Sequence, residues 1–234
     1  MKRILVISDI HGELEKLEQL LKKVNYSPEN AQLILLGDYV DRGPNAKGVL
    51  EKVMRLKEAG ARVLKGNHED LMIKALTTDV ERSWNHWVKQ CGGDATLYSY
   101  GFSKSDIVAS EEPFQKPLLT SELLWKHVEF IQELENYIET PDYVFVHAGV
   151  HPSMPISETD PHLLMWIRGE FHKGYSGDKI IVFGHTETST LYNDVKNHHV
   201  YFGQNRIIGV DGGAVYGGQL NCLELPSQIV YSVK

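Results

Sequence analysis

Cysteine is scarce, with Cys91 and Cys222 standing far apart in a chain of 234 residues. No disulfide framework and no zinc-finger spacing can be built from them, so two buried thiols in a reducing compartment are expected. Long apolar runs are missing as well. The first, Ile4–Ile7, is too short for the core of a signal peptide, and none approaches the ~20 residues of a membrane span. Basic residues are the minority charge. The chain has 24 Lys and Arg against 31 Asp and Glu, a formal net charge of −7 that disfavours duplex nucleic acid as a main partner. Repeats and low-complexity tracts are absent. These absences lead to the expectation of a soluble, cytoplasmic protein without a membrane partner, monomeric or weakly associating.

Hydrophobic residues make up 42% of the chain, enough for a sizeable core. At roughly one domain per 150 residues, the length suits a single domain over 1–234 carrying an insertion. Short runs rich in Ile, Val and Leu read as strands buried on both faces: Ile4–Ile7, Leu33–Leu36, Arg62–Leu64, Tyr143–Val146, Ile180–Phe183 and Ile207–Val210. Between the first three lie helical patterns, one through Leu14, Leu17, Leu20 and Leu21 and one through Val49, Leu50, Val53, Met54 and Leu56. That alternation predicts parallel strands with right-handed crossovers. Tyr137–Thr140, Pro141-Asp142 and Tyr143–Val146 predict a hairpin, and His198-His199 a further hairpin turn. The predicted fold class is α/β, with two packed mixed β-sheets flanked by helices. The stretch 78–117 leaves the strand rhythm and reads as a mostly helical insertion followed by loop, with Trp84 and Trp87 at helical spacing packing beneath it. An amphipathic segment, Leu118–Leu134, leads back to the sheet.

Every strand candidate runs into polar residues of one chemical kind. Ser8-Asp9-Ile10-His11 follows the first, Gly37-Asp38 the second, Gly66-Asn67-His68 the third, His147 the fourth, Gly184-His185 the fifth and Asp211 the sixth. Loops at the carboxyl ends of strands converge in open α/β sheets, so residues scattered along the sequence can meet there. Asp9, His11, Asp38, Asn67, His147 and His185 together offer oxygen and imidazole nitrogen but no thiolate, which suits Mn, Fe or Zn. Two carboxylates, one amide and three imidazoles exceed the needs of one tetrahedral ion. They match two ions that share a carboxylate, with Asp38 as the natural bridge. A pair of ions ~3.5–4 Å apart can lower the pKa of a shared water toward ~7 while clamping phosphoryl oxygens, and the chemistry this implies is phosphoester hydrolysis.

Asp9-Ile10-His11-Gly12, Gly37-Asp38-Tyr39-Val40-Asp41-Arg42-Gly43, Gly66-Asn67-His68-Glu69, His147-Ala148-Gly149 and Gly184-His185 resemble, in order and spacing, the signature of the metal-dependent phosphoprotein phosphatases within the calcineurin-like metallophosphoesterases. Trp166-Ile167-Arg168 and Asp211–Gly218 further resemble its small bacterial members, the phage-lambda-type protein phosphatases and symmetrical diadenosine tetraphosphate hydrolases. The resemblance implies a four-layer αββα sandwich. It implies that Asp9, His11 and Asp38 hold one divalent ion and that Asp38, Asn67, His147 and His185 hold a second, with manganese the first choice. His68 would protonate the leaving oxygen, with Asp41 orienting the imidazole and favouring its charged form. Arg42, Arg168 and Asn67 would meet the substrate phosphate, the arginines through planar guanidinium groups that match two oxygens at once. Glu69 and Asp211 are expected to support the site rather than react. The first motif departs from the usual Gly-Asp by having Ser8-Asp9, and Thr186-Glu187 follows His185 where broader phosphodiesterases often place another His.

Two substrates fit this reading equally in kind. One is a phosphomonoester, as phosphoserine, phosphothreonine or phosphotyrosine in a protein. The other is a phosphoanhydride in a dinucleoside polyphosphate. A catalytically silent phosphate-binding module would be expected to lack a ligand, and none is missing.

Overall fold

The computed structural model describes residues 3–234. Strands and helices alternate through the first third: β1 (Arg3–Ile7), α1 (Leu14–Lys23), β2 (Ala31–Leu35), α2 (Ala46–Glu58), β3 (Arg62–Val63) and α3 (Asn67–Thr77). Each helix forms where the apolar spacing closes a stripe. Leu17, Leu20 and Leu21 bury the face of α1, and Val49, Leu50, Val53 and Leu56 that of α2, whose start is capped by Asn45 accepting from the Gly48 amide. The segment 78–117 folds as α4 (Glu81–Asn85), a π-helical turn at His86–Gln90, α5 (Gly93–Ser99) and a small hairpin of β4 (Ser110–Glu111) and β5 (Phe114–Gln115). Helix α6 (Glu122–Gln132) follows, capped by the Ser121 side chain.

The second half supplies β6 (Tyr137–Glu139), β7 (Tyr143–Val146), α7 (Pro161–Trp166), α8 (Gly169–Gly174), β8 (Ile180–Phe183), α9 (Thr188–Tyr192), β9 (Tyr201–Phe202), β10 (Ile207–Gly209), β11 (Leu220–Leu225) and β12 (Ile229–Val233). The predicted hairpin forms, with Ile138 opposite Phe145 in antiparallel β6 and β7. The turn expected at His198-His199 does not. Those residues lie in irregular chain, where the His198 carbonyl accepts from Asn221 Nδ2, and the next hairpin reverses instead between β9 and β10.

Two five-stranded sheets result, ordered β12-β11-β1-β2-β3 and β6-β7-β8-β10-β9. Both are mixed. In the first, β1, β2 and β3 run parallel while β11 and β12 are antiparallel additions; in the second, β7, β8 and β10 run parallel and β6 and β9 close the edges antiparallel. A bridge between Leu64 and Glu135 continues the parallel pairing beyond β3. Side chains alternate across each strand. Val6, Ile34 and Leu223 meet Phe145, Val182 and Ile208 between the sheets. Leu5, Ile7, Leu33 and Leu35 face α1, α2 and α3, whereas Val144, Val146, Ile181 and Phe183 face α7 and α8. The order of layers is helix, sheet, sheet, helix. The six strands whose ends carry the polar motifs are the three parallel strands of each sheet, so both sets of carboxyl ends can open onto one place.

Candidate metal centre

Residues that follow β1, β2, β3, β8 and β10 line a single cavity of about 240 Å³, among them Asp9, His11, Asp38, Asn67, His68 and His185, while His147 after β7 is fully buried and stays out of the lining. Main-chain bonds join the ends to one another. The Asp9 amide donates to the Gly37 carbonyl, the His11 amide to that of Asp38, and the Gly184 amide to that of His147. The sheets meet through side chains. The His185 amide donates to both Asp9 oxygens at 3.0–3.1 Å, and His147 Nδ1 reaches the Leu36 carbonyl at 3.0 Å.

Tight approach of these loops forces the backbone into unusual conformations. Asp9, His11, Asp38, Asp41, Arg42 and His185 all have φ between +44° and +71°, a region most side chains avoid. Gly37 supplies the freedom they lack: with φ +112°, its hydrogen lies where a Cβ would come within 2.5 Å of the Gly66 nitrogen.

The imidazoles are oriented by what they must donate to. His11 Nδ1 lies 2.7 Å from the Val40 carbonyl and His147 Nδ1 3.0 Å from that of Leu36, so each ring carries its proton on Nδ1. Burial holds both rings well below the ordinary histidine range, His147 down to about 4, which keeps them neutral, each with a lone pair on Nε2. Those lone pairs face Asp38 oxygens, His11 Nε2 at 3.5 Å from Oδ2 and His147 Nε2 at 3.4 Å from Oδ1. On the His11 side the lone pair accepts from Arg42, whereas His147 Nε2 faces the Asp38 carboxyl and the Asn67 oxygen, acceptor against acceptor. Burial, with Asp9 and Glu69 nearby, pushes the Asp38 carboxyl up, and His185 Nε2 is buried without a hydrogen-bond partner. A cation beside Asp38 would turn these unfavourable pairings into ligand bonds.

Among the described residues, potential ligand atoms gather into two groups, His11 with Asp38 and His68, and Asp38 with His147 and His185. Asp38 belongs to both. Asn67 Oδ1 is 2.9 Å from both His147 Nε2 and His185 Nδ1, beside the second group. Asp9 lines the same cavity but falls in neither group, its carboxylate turned to the His185 amide. Asp211 is also buried beside the cavity, accepting from the Gly213 amide.

His68 Nδ1 and Asp41 Oδ2 are 2.6 Å apart, with the rings of His68 and His11 edge to face at 4.7 Å. Burial pushes Asp41 up to about 8 and His68 down, so desolvation here works against the charged imidazolium expected from the pairing alone. Arg42 donates to His11 Nε2 at 2.6 Å and rests over the Tyr216 ring at 5.2 Å. Arg168 is tied to the His185 carbonyl and the Thr186 hydroxyl, bringing its guanidinium to the rim of the cavity.

The calcineurin-like phosphoesterase family profile matches residues 2–212. The chain belongs to that family. As a calcineurin-like phosphoesterase it is 27% identical to an asymmetrical bis(5′-nucleosyl)-tetraphosphatase of Oceanobacillus iheyensis, over 99% of this chain and 92% of that one. It is 26% identical to serine/threonine-protein phosphatase 1 of Salmonella typhimurium, over 94% and 90%. A crystal structure of a candidate diadenosine tetraphosphatase shares the fold with a TM-score of 0.70 at 20% identity, covering 99% of this chain and 93% of its own. The two donor groups around Asp38 agree with a family that depends on a dinuclear metal centre.

Of the residues around this phosphoesterase site, Trp87, His86 and Cys91 were not singled out for it by sequence, whereas Glu69 was. Glu69 is fully buried and accepts from the amides of Asp38, Tyr39 and Gly66 at 2.8–2.9 Å, pinning the β2 end loop to the start of α3. Burial lifts its carboxyl to about 7 despite those donors. Its supporting part was legible; the loop it supports was not. Trp87 does pack as its spacing predicts, but its indole N–H also reaches Asp41. His86 lines the cavity beside Cys91. Cys222 is buried as expected, with burial pushing its thiol up to about 12, whereas Cys91 is only partly covered because it ends the π-helical turn and opens onto the cavity. No helix among the described residues is long and apolar enough to cross a membrane.

Proposed function

We propose that this chain is a dinuclear-metal phosphohydrolase acting on phosphomonoesters, with phosphoserine and phosphothreonine in proteins as first substrates and phosphotyrosine as a further one. The observation that carries the reading is the His68–Asp41 pair set beside two donor groups that share Asp38, all in one small cavity. Asp9, His11 and Asp38 are assigned to one ion, and Asp38, Asn67, His147 and His185 to the other. Two divalent cations, manganese before iron or zinc, would polarise the phosphoryl group there and activate the attacking water. Arg42 and Arg168, both lining the cavity, grip the nonbridging phosphate oxygens, and Asn67 adds an amide contact. His68 gives its Nε2 proton to the departing oxygen while Asp41 holds the ring from Nδ1.

A second reading, hydrolysis of a dinucleoside tetraphosphate, is favoured by the Oceanobacillus iheyensis relative, which spans nearly the whole chain. It uses the same residues. Manganese-loaded protein given a phosphothreonine peptide and diadenosine tetraphosphate in parallel, with products separated by chromatography, tests both. Free phosphate from the peptide supports the first reading. Nucleotide products with the peptide untouched would replace it with the second.

A further inference from the structure

Asp41 is completely buried, and its carboxylate is held from three sides. Trp87 Nε1 donates to Oδ1 at 2.9 Å and Oδ2 at 3.0 Å, and Thr96 Oγ1 donates to Oδ1 at 2.7 Å. The His68 ring takes the remaining direction at Oδ2. Thr96 closes a loop of bonds, because its hydroxyl also accepts from the Asp41 amide at 2.8 Å. Both donors come from the segment 78–117, Trp87 from the π-helical turn and Thr96 from α5. The same segment holds the neighbouring backbone, with the Arg42 amide donating to the Gly92 carbonyl at 3.1 Å. Asp41 and Arg42 sit at φ +71° and +69°, so their loop needs outside contacts to keep its shape.

A carboxylate can turn about its Cβ–Cγ bond, and an imidazole hydrogen-bonded to it would turn with it. Two donors in fixed elements, Trp87 and Thr96, remove that freedom. We propose that Trp87 and Thr96 are positioning residues for proton delivery: they lock the Asp41 carboxylate and thereby aim His68 Nε2 at the oxygen leaving phosphorus. The inference rests on the reading of His68 as the general acid. In the step it serves, water forms the new P–O bond, the old P–O electron pair departs with the alcohol oxygen, and that oxygen takes the proton from Nε2. Phosphate and alcohol are the products, and the proton lost by the water restores His68.

The test compares two esters whose leaving groups need the proton unequally. 4-Nitrophenyl phosphate expels a stable anion, whereas phenyl phosphate expels a more basic one. Wild type, Trp87→Phe, Thr96→Val, Thr96→Ser and His68→Asn are assayed with saturating manganese, and bound manganese is measured on each protein. We expect Trp87→Phe and Thr96→Val to lose roughly 10- to 100-fold in kcat on phenyl phosphate and only a few-fold on 4-nitrophenyl phosphate, a part of the ~10²–10⁴-fold available to general acid catalysis. Thr96→Ser restores the hydroxyl and the rate. Manganese content stays at the wild-type level. Because Thr96 is small, its Val and Ser variants keep the assignment testable should Trp87→Phe not fold. An active wild type whose variants lose equally on both esters, or in step with manganese, overturns the assignment. A wild type inert toward both esters overturns the phosphomonoesterase reading first, and the assignment with it.

Discussion

At the scale of single residues, position decides what each polar group can do. Asp38 stands between His11 Nε2 and His147 Nε2 and, among the described residues, is shared by both donor clusters. Asp38→Asn should therefore lose bound metal, measured by elemental analysis after desalting, together with activity. His68→Asn should keep its metal and lose turnover by ~10²–10⁴-fold, the usual share of a general acid. Equal metal loss in both variants would mean that His68, which groups with His11 and Asp38, is a ligand instead. His172 offers a separate residue-level check away from the cavity floor. It stacks on Phe183 with Nε2 buried and unpartnered, and burial, with Arg168 adding to it, lowers its pKa to about 4. Unfolded chain then binds a proton that folded chain refuses, so this residue weakens the fold as pH falls from the ordinary value near 6.5 toward 4. His172→Phe should flatten that part of the profile, read as urea midpoints at pH 7 and pH 4.5 with chelator present.

Whole elements carry the site into place. Helix α3 begins at Asn67, and Glu69 in its first turn reaches back to Gly66 and across to the loop after β2, so one helix start fixes two strand ends. The 78–117 segment is the counterpart on the other side of Asp41. Gly93, the first residue of α5, lies against the Trp87 indole so closely that a Cβ would come within 2.5 Å of Cε2. Gly93→Ala should displace that ring at a cost of about 1–3 kcal/mol in chemical denaturation, the range of an overpacked core, and weaken turnover with it. A variant as stable and as active as wild type would show that the indole has room to move. Legibility differed sharply between these elements. The strand ends were readable because Asp9, His11, Asp38 and His147 interrupt apolar runs at once, a local signal. Trp87 and Thr96 were not, since Asp41 lies 46 and 55 residues away and a Trp pair at helical spacing has the same pattern whether or not its N–H has a partner. Cys91 was misplaced because free thiols are generally buried, and the turn that opens this one onto the cavity is a tertiary feature.

In the molecule as a whole, the cavity sits where two sheets bring their parallel strands to a common edge. Its lining comes from the ends of β1, β2 and β3 in one sheet and of β8 and β10 in the other, and the sheets are linked by the contact of His185 with Asp9 and of His147 with Leu36. Ions held across that junction bind folded chain only, so they stabilise it by mass action. Removing them with chelator should lower the melting temperature, and adding manganese back should restore it in proportion to concentration. A melting temperature indifferent to both would deny a shared centre between the sheets.

The residue order alone determined which layers form and which side chains are offered to a metal, because alternation along strands, helical stripes and the residues that end them are properties of neighbours in sequence. It also placed the hairpin of β6 and β7. Tertiary structure alone decided that Asp9 turns to the His185 amide and joins neither donor group, and that the 78–117 segment grips Asp41. Such facts depend on directions in space. A side chain's type sets what it can bind, but only packing of distant elements sets what lies within a hydrogen bond of it.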